Sequence, residues 1–314
     1  MPNLSLNALT IDVEDWSQLA HYKLLGCIVP ASSKVLTNTH LILDLLAEHN
    51  VRATFFILGR VAEQYPELVL SIQRDGHEVA THGYSHRLIS ILGAKEFEVE
   101  LRRSINILED IVQEPILGNR AAEFSINNST PWAWEIMAAA GLRYDSSVFP
   151  IQHPYYGVPT APTHPYWVHT STGNLMEFPP ATVRLFGQNL PIAGGGYMRI
   201  LPLKLICWGI QALNHQGDMA VIYTHPYEFS KEWLDLPVPI HSTRQWLKLR
   251  LRALKRNWGR GHPMQDKFIS LLKSYHFAPL REVMVNEPEW QSSNVLSTTR
   301  PTIRPVISTE SPSV

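Results

Sequence analysis

Along this chain the spacing of hydrophobic positions changes repeatedly, and each change marks an element. Leu9 to Val13 is a short run of strand length. Thr37 to His49 carries Leu41, Leu45 and Leu46 at helical spacing, and Val51 to Leu58 follows as a buried strand. Pro66 opens a helix that Gly76 closes; proline suits a first helical turn, and glycine stops one. His77 to Thr81 is the third strand. Phe97, Leu101, Ile105, Leu108 and Val112 predict one face of a long amphipathic helix. A further helix starts at Pro131 and ends near Gly141, and Leu142 to Ser146 returns as a strand. Leu175 to Phe178 and Met219 to Thr224 predict two more strands, the second preceded by a helix opening at Pro202. Alternation of this kind predicts an α/β layer or barrel. The Pro- and Tyr-rich stretch from Pro150 to Trp167 is expected to be a long ordered loop, and such loops are usually functional.

Composition narrows the class. With 314 residues, 45% hydrophobic and 18% charged, the chain suits one compact globular enzyme. A net charge of −1 gives no support for nucleic-acid binding. Cys27 and Cys207 are expected to be buried free thiols. No basic start followed by an apolar run opens the chain, so a cytoplasmic location is expected. Its apolar runs are too short for a membrane span. Residues 241–260 are basic without an acid among them: Arg244, Lys248, Arg250, Arg252, Lys255, Arg256 and Arg260. They suit the solvated face of a helix, or a weak association with anionic lipid headgroups. Residues 286–314, rich in Ser, Thr and Pro, are expected to be a disordered tail.

The chemistry-bearing residues gather at strand ends. Asp12-Val13-Glu14-Asp15 closes the first strand, and residues two apart on a strand face one side, so Asp12 and Glu14 can point together. Val79-Ala80-Thr81-His82-Gly83-Tyr84-Ser85-His86 puts two histidines four apart just past the third strand. Imidazoles at that spacing can converge on one divalent metal if the chain turns there. Further on come Gly118-Asn119-Arg120-Ala121-Ala122-Glu123-Phe124, Asp145-Ser146-Ser147, Glu177-Phe178-Pro179-Pro180, Gly194-Gly195-Gly196-Tyr197-Met198-Arg199 and Thr224-His225-Pro226-Tyr227-Glu228.

In this order the motifs resemble the polysaccharide deacetylases (NodB homology, carbohydrate esterase family 4), and among them the exopolysaccharide-locus branch. The resemblance runs from about Leu9 to Val285. It implies a distorted (β/α)7-type barrel, with the site at the C-terminal ends of the strands. Residues 1–285 would form one catalytic domain, of which 239–285 is the branch's C-terminal extension. Asp12 would be the general base and His225 the general acid. Arg120 would hold Asp12, and Asp145 would tune the catalytic histidine. Glu14, His82 and His86 would bind a metal, with Asp15 as the alternative to Glu14. Zinc is the first expectation; cobalt, iron or nickel also suit two histidines and a carboxylate. Phe124, Tyr197, Arg199 and Trp167 would line a groove for an N-acetylated glycan.

The chain departs from the family at three positions. Gly83 stands where a hydroxyl residue is usual, Ala122 replaces a proline, and Glu123 replaces the serine of this branch. A looser turn there is expected to misplace Arg120 and a backbone N–H that would steady the oxyanion. The resemblance implies removal of acetyl groups from N-acetylated amino sugars of a polysaccharide or its precursor, in exopolysaccharide biosynthesis. Two rivals stay open: a small-amide or ureide C–N hydrolase on the same scaffold, and a catalytically weak glycan-binding relative.

Overall fold

A computed structural model of the chain describes residues 5–234, 251, 253–286 and 295–297. Its strands are β1 (Leu6–Val13), β2 (Thr54–Ile57), β3 (Glu78–Thr81), β4 (Gly118–Asn119), β5 (Tyr144–Asp145), β6 (Tyr166–His169), β7 (Asn174–Glu177), β8 (Thr182–Leu185), β9 (Gln188–Pro191), β10 (Val221–Thr224), β11 (His276–Ala278) and β12 (Val295–Ser297). Seven run parallel in the order β10-β1-β2-β3-β4-β5-β7. The sheet curls until the Ala181 N–H, just past β7, donates to the Val221 carbonyl of β10 at 3.0 Å. That bond joins the two ends of the seven-stranded row and makes it the expected distorted barrel. β6 adds antiparallel to β7, β12 lies parallel on β6, and β11 runs beside the first half of β1.

The helices are α1 (Trp16–Leu25), α2 (Lys34–Glu48), α3 (Gly59–Gln64), α4 (Pro66–Arg74), α5 (Ile89–Val112), α6 (Trp132–Ala139), α7 (Gly195–Ile200), α8 (Leu203–His215), α9 (His262–Ser274) and α10 (Leu280–Asn286). The long amphipathic helix is α5, and Phe97, Leu101, Ile105, Leu108 and Val112 are all buried on its inner face. Strand residues alternate between two cores. Leu9, Ile11, Val13, Phe55 and Ile57 face the helices and share one cluster with Ile42 and Leu101. Ala8, Phe56, Ala80, Tyr144, Met176 and Val221 face inward, where Leu280 of α10 joins them to plug the barrel floor. Truncating a fully buried Leu or Ile in either layer to Ala would cost about 2–5 kcal/mol. With the floor apolar, the polar strand residues are left at the mouth.

Some expectations shift. The 150–167 loop ends earlier, because Tyr166 already begins β6. Both cysteines are free, but Cys27 is exposed and Cys207 only partly buried, so neither is a core thiol. Within 286–314, expected to be disordered, residues 295–297 form β12; the remainder past Asn286 lies outside the described residues. So do Arg244, Lys248, Arg250 and Arg252 of the basic run. No helix among the described residues is long and apolar enough to cross a membrane.

Candidate active site

The strand period of two decides which residues meet at the mouth. On β1, Ala8, Thr10 and Asp12 face inward and Val13 faces the helices, so Glu14 points back into the barrel. Asp15 turns away. Its carboxylate caps α1 by accepting from the Gln18 N–H (3.3 Å), and it also binds the Ser32 N–H (3.0 Å) and hydroxyl (2.8 Å). Those bonds occupy both of its oxygens, so Asp15 is removed as the alternative ligand.

Glu14, His82 and His86 are buried, and each offers an atom within 4.8 Å of the other two. His86 Nε2 stands 2.7 Å and His82 Nε2 3.6 Å from Glu14 Oε2. Yet Glu14 Oε2, although buried, is left without a well-formed hydrogen bond among the described residues. A buried carboxylate oxygen aimed at two imidazole nitrogens in that way fits a cation binding all three. His82 is turned for this by its other nitrogen, since Nδ1 lies 2.7 Å from the Arg120 carbonyl. The turn that brings His86 back uses Gly83 at φ +73° and His86 itself at φ +61°. A left-handed backbone explains the glycine at 83, where the family has a hydroxyl residue. Burial alone would raise the Glu14 carboxyl, but His86 and His225 outweigh it and hold the group well below the usual carboxylate range.

Arg120 is fully buried and every arm of its guanidinium is engaged. Nη1 donates to Asp12 Oδ1 (2.7 Å) and Thr10 Oγ1 (2.8 Å), Nη2 to Ser146 Oγ (2.8 Å), and Nε to the Ser146 carbonyl (3.1 Å). The guanidinium sits over the Phe56 ring at 4.3 Å, and the Phe124 ring is 5.5 Å away. The expected misplacement of Arg120 by Ala122 and Glu123 is therefore corrected: the anchors lie in β1 and past β5, outside the altered turn. Glu123 leaves the site and pairs with Lys23 at 2.9 Å.

His225 follows β10. Its Nε2 lies 3.3 Å from Glu14 Oε1 and 3.9 Å from Asp12 Oδ2, and its ring stacks on Tyr227 at 5.0 Å. Nδ1 is 3.2 Å from Glu228 Oε2, and the same oxygen accepts the His225 backbone N–H (3.2 Å) and the Thr224 hydroxyl (3.1 Å). Arg199 donates from Nε to Glu228 Oε1 (2.7 Å) and from Nη1 to the carbonyls of Arg256 (2.5 Å) and Trp258 (3.0 Å). Burial would raise the Glu228 carboxyl, but His225 and Arg199 hold it at about 2. Burial likewise opposes charge on His225, and Glu14, Glu228 and Asp12 outweigh it, so its pKa is raised.

Three assignments change. Asp145 does not touch His225. It faces outward, where Asn119 Nδ2 (2.9 Å) and Ser147 Oγ (2.5 Å) bond it and Glu177 stands opposite in register. Glu228 stands beside His225 where Asp145 was expected, and only its spacing of three from His225, a capping-box interval, could have signalled it. Arg199 is buried behind Glu228, so it cannot line a glycan groove. Trp167 packs on the barrel-floor cluster with Leu6, Leu117 and Met284, remote from the mouth. Phe124 and Tyr197 do stand near the site. The Phe124 ring is 5.0 Å from Tyr223 and 5.2 Å from Phe149, and Tyr197 is 6.3 Å from Phe149. The glycine triplet before Tyr197 serves packing, because a Cβ on Gly194 would lie 1.7 Å from the Tyr223 carbonyl oxygen.

Comparison with known proteins agrees with this geometry. Residues 32–144 match the family model "Polysaccharide deacetylase", and residues 146–285 match "Domain of unknown function (DUF3473)". A peptidoglycan-N-acetylglucosamine deacetylase of Bacillus cereus is 39% identical over 101 residues, covering 30% of this chain and 34% of that protein. A chitooligosaccharide deacetylase of Sinorhizobium fredii is 41% identical over 69 residues, 21% of this chain and 32% of its own. The match thus spans about a third of these curated relatives. A crystal structure of a Mycobacterium smegmatis protein assigned to the polysaccharide deacetylases superposes with a TM-score of 0.60 at 23% identity. It covers 96% of this chain and 97% of its own, and so shares the fold. Residues 32–144 thus carry a polysaccharide deacetylase domain, and a DUF3473 region follows it over residues 146–285.

Proposed function

We propose that the protein is a metal-dependent N-deacetylase of N-acetylated amino sugars in a polymer or its precursor. One observation carries the reading: Glu14, His82 and His86 converge beside an Arg120-held Asp12 and a Glu228-held His225. A divalent cation on those three residues, zinc first and cobalt, iron or nickel next, would supply a Lewis acid for the acetamide carbonyl and the attacking water.

The chain's own residues handle the protons. Arg120 fixes Asp12 through Oδ1, leaving Oδ2 toward His225 without a hydrogen bond from the described residues. Asp12 Oδ2 is thus placed to take the proton of a water lying between the two. As the water oxygen bonds the acetyl carbon and the C–N bond breaks, His225 Nε2 gives its proton to the departing nitrogen. Acetate and a free amine result. Glu228 binds His225 at Nδ1 and so keeps Nε2 facing the reaction.

The relatives' substrates, peptidoglycan and chitooligosaccharide, point to N-acetylglucosamine polymers. Glu177-Phe178-Pro179-Pro180 and the 194–199 segment resemble the exopolysaccharide-locus branch, which supports a role in exopolysaccharide assembly. The test is acetate release from chitin oligosaccharides by metal-loaded protein, beside Asp12→Asn and His82→Ala. We expect release by the wild type, with Asp12→Asn losing turnover while keeping bound metal, and His82→Ala losing both. Tight metal binding without release from any N-acetylated glycan would reject the reading in favour of a binding protein.

A further inference from the structure

Exposed apolar side chains usually stand singly on a protein surface. Here three of them share one stripe. Residue 251 and residues 253–257 are helical, and Leu251, Leu254 and Trp258 fall at i, i+3 and i+7 with 57%, 54% and 70% of their surface exposed. The opposite side of this helix faces the protein. Ala253 is buried there, and Asn257 exchanges hydrogen bonds with the Leu234 backbone while accepting one from Arg260. The helix is therefore inverted: its polar asparagine is spent inward, and its leucines and tryptophan face water.

Charge indicates what covers the stripe. At 100° per residue, exposed Lys255 lies about 40° from Leu251, whereas Arg256 falls about 140° from it, toward the side that carries Ala253. Residues 241–260 of the sequence hold seven Arg and Lys and no Asp or Glu. A small apolar stripe with a tryptophan, joined by Lys255 within a sequence run of cations that holds no acid, suits the boundary of an anionic bilayer. There the phosphates meet Lys255, and the apolar side chains enter the headgroup–acyl boundary.

We infer that Leu251, Leu254 and Trp258, with Lys255, dock the protein on an anionic lipid surface. The other side of the helix borders the site. The Arg256 guanidinium lies 5.3 Å over Trp16, Trp16 is 5.7 Å from Tyr227, and Tyr227 stacks on His225. Docking would hold the barrel mouth beside glycan carried at a membrane. That consequence rests on the glycan reading of the site, whereas the docking does not.

Vesicle sedimentation with the full chain separates the two. Phosphatidylcholine vesicles are compared with vesicles that also contain phosphatidylglycerol, at rising NaCl. The expected result is more than about tenfold tighter binding to the anionic vesicles, weakening with salt. Leu254→Glu with Trp258→Glu should abolish it, and Lys255→Glu should weaken it and flatten its salt dependence. Both variants should keep the wild-type melting temperature, and any acetate release from soluble chitin oligosaccharides. Equal binding to the two vesicle types, or binding unchanged in the double variant, overturns the inference. So does a wild-type dimer in solution that the double variant converts to monomer, because the stripe would then be covered by a second copy.

Discussion

At the scale of single residues, the site depends on which carboxylate stands behind His225. Glu228 does, within hydrogen-bond reach of Nδ1, and Arg199 stands behind Glu228. Asp145 lies on the other face of its strand, so its charge is not among those acting on His225. Glu228→Gln keeps the shape and removes the charge. It is expected to lower kcat by about 10²–10⁴-fold with little change in KM, since the imidazole loses the partner that fixes its tautomer and supports its positive form. Asp145→Asn should leave kcat within a few-fold. Steady-state kinetics on chitin oligosaccharides decides between them. Equal losses in both variants would mean that Glu228 merely supports the fold.

At the scale of elements, the turn after β4 shows how a local departure can be harmless. Ala121 lies at φ −69° and ψ 142°, the extended region a residue before proline prefers. Ala122 has no positive φ, and its N–H donates to no acceptor among the described residues. Ala122→Pro should thus fit without strain and raise the melting temperature by about 1–3 °C, chiefly by restricting the unfolded chain. A fall in melting temperature would show that the N–H has a use. Hydrophobic patterning made β1, α2, α4, α5 and β10 legible, because each helix buries one face at helical spacing and both strands are buried apolar runs. It could not show β4, two residues long, nor that within the predicted Leu142–Ser146 strand a one-residue offset sends Asp145 outward while Ser146 reaches Arg120. The meeting of these side chains was readable because Asp12 and Glu14 share a strand face and His82 and His86 follow a strand end. Arg199 was misread because sequence shows a charge without showing whether it is buried.

At the scale of the whole molecule, the Asp145–Glu177 pair ties stability to pH. The two carboxyls face each other across β5 and β7, both fully buried. Among the described residues no other N–H or O–H reaches Asp145 Oδ2 or Glu177 Oε2, an arrangement that suits one proton shared between them. Burial first, then the neighbouring Asp145, pushes Glu177 well above the usual carboxylate range, and burial raises Asp145 as well. The folded chain therefore keeps a proton that the unfolded chain releases near its ordinary values of 3.8 and 4.5. Folding holds more protons than unfolding above that range, so the pair's contribution is complete at low pH and declines as pH rises. The slope is at most about 1.4 kcal/mol per pH unit for one proton. Glu177→Gln replaces the protonated carboxyl by an amide that can still accept from the Ser147 and Val148 N–H groups and can donate to Asp145. Urea midpoints of the two proteins, measured from pH 4.5 to 8, should draw steadily apart in the variant's favour. Other carboxylates, Glu228 among them, titrate alike in both and cancel from the difference. A difference that stays constant across that range would mean that Asp145 and Glu177 share no proton, and that their two bare oxygens are satisfied in another way.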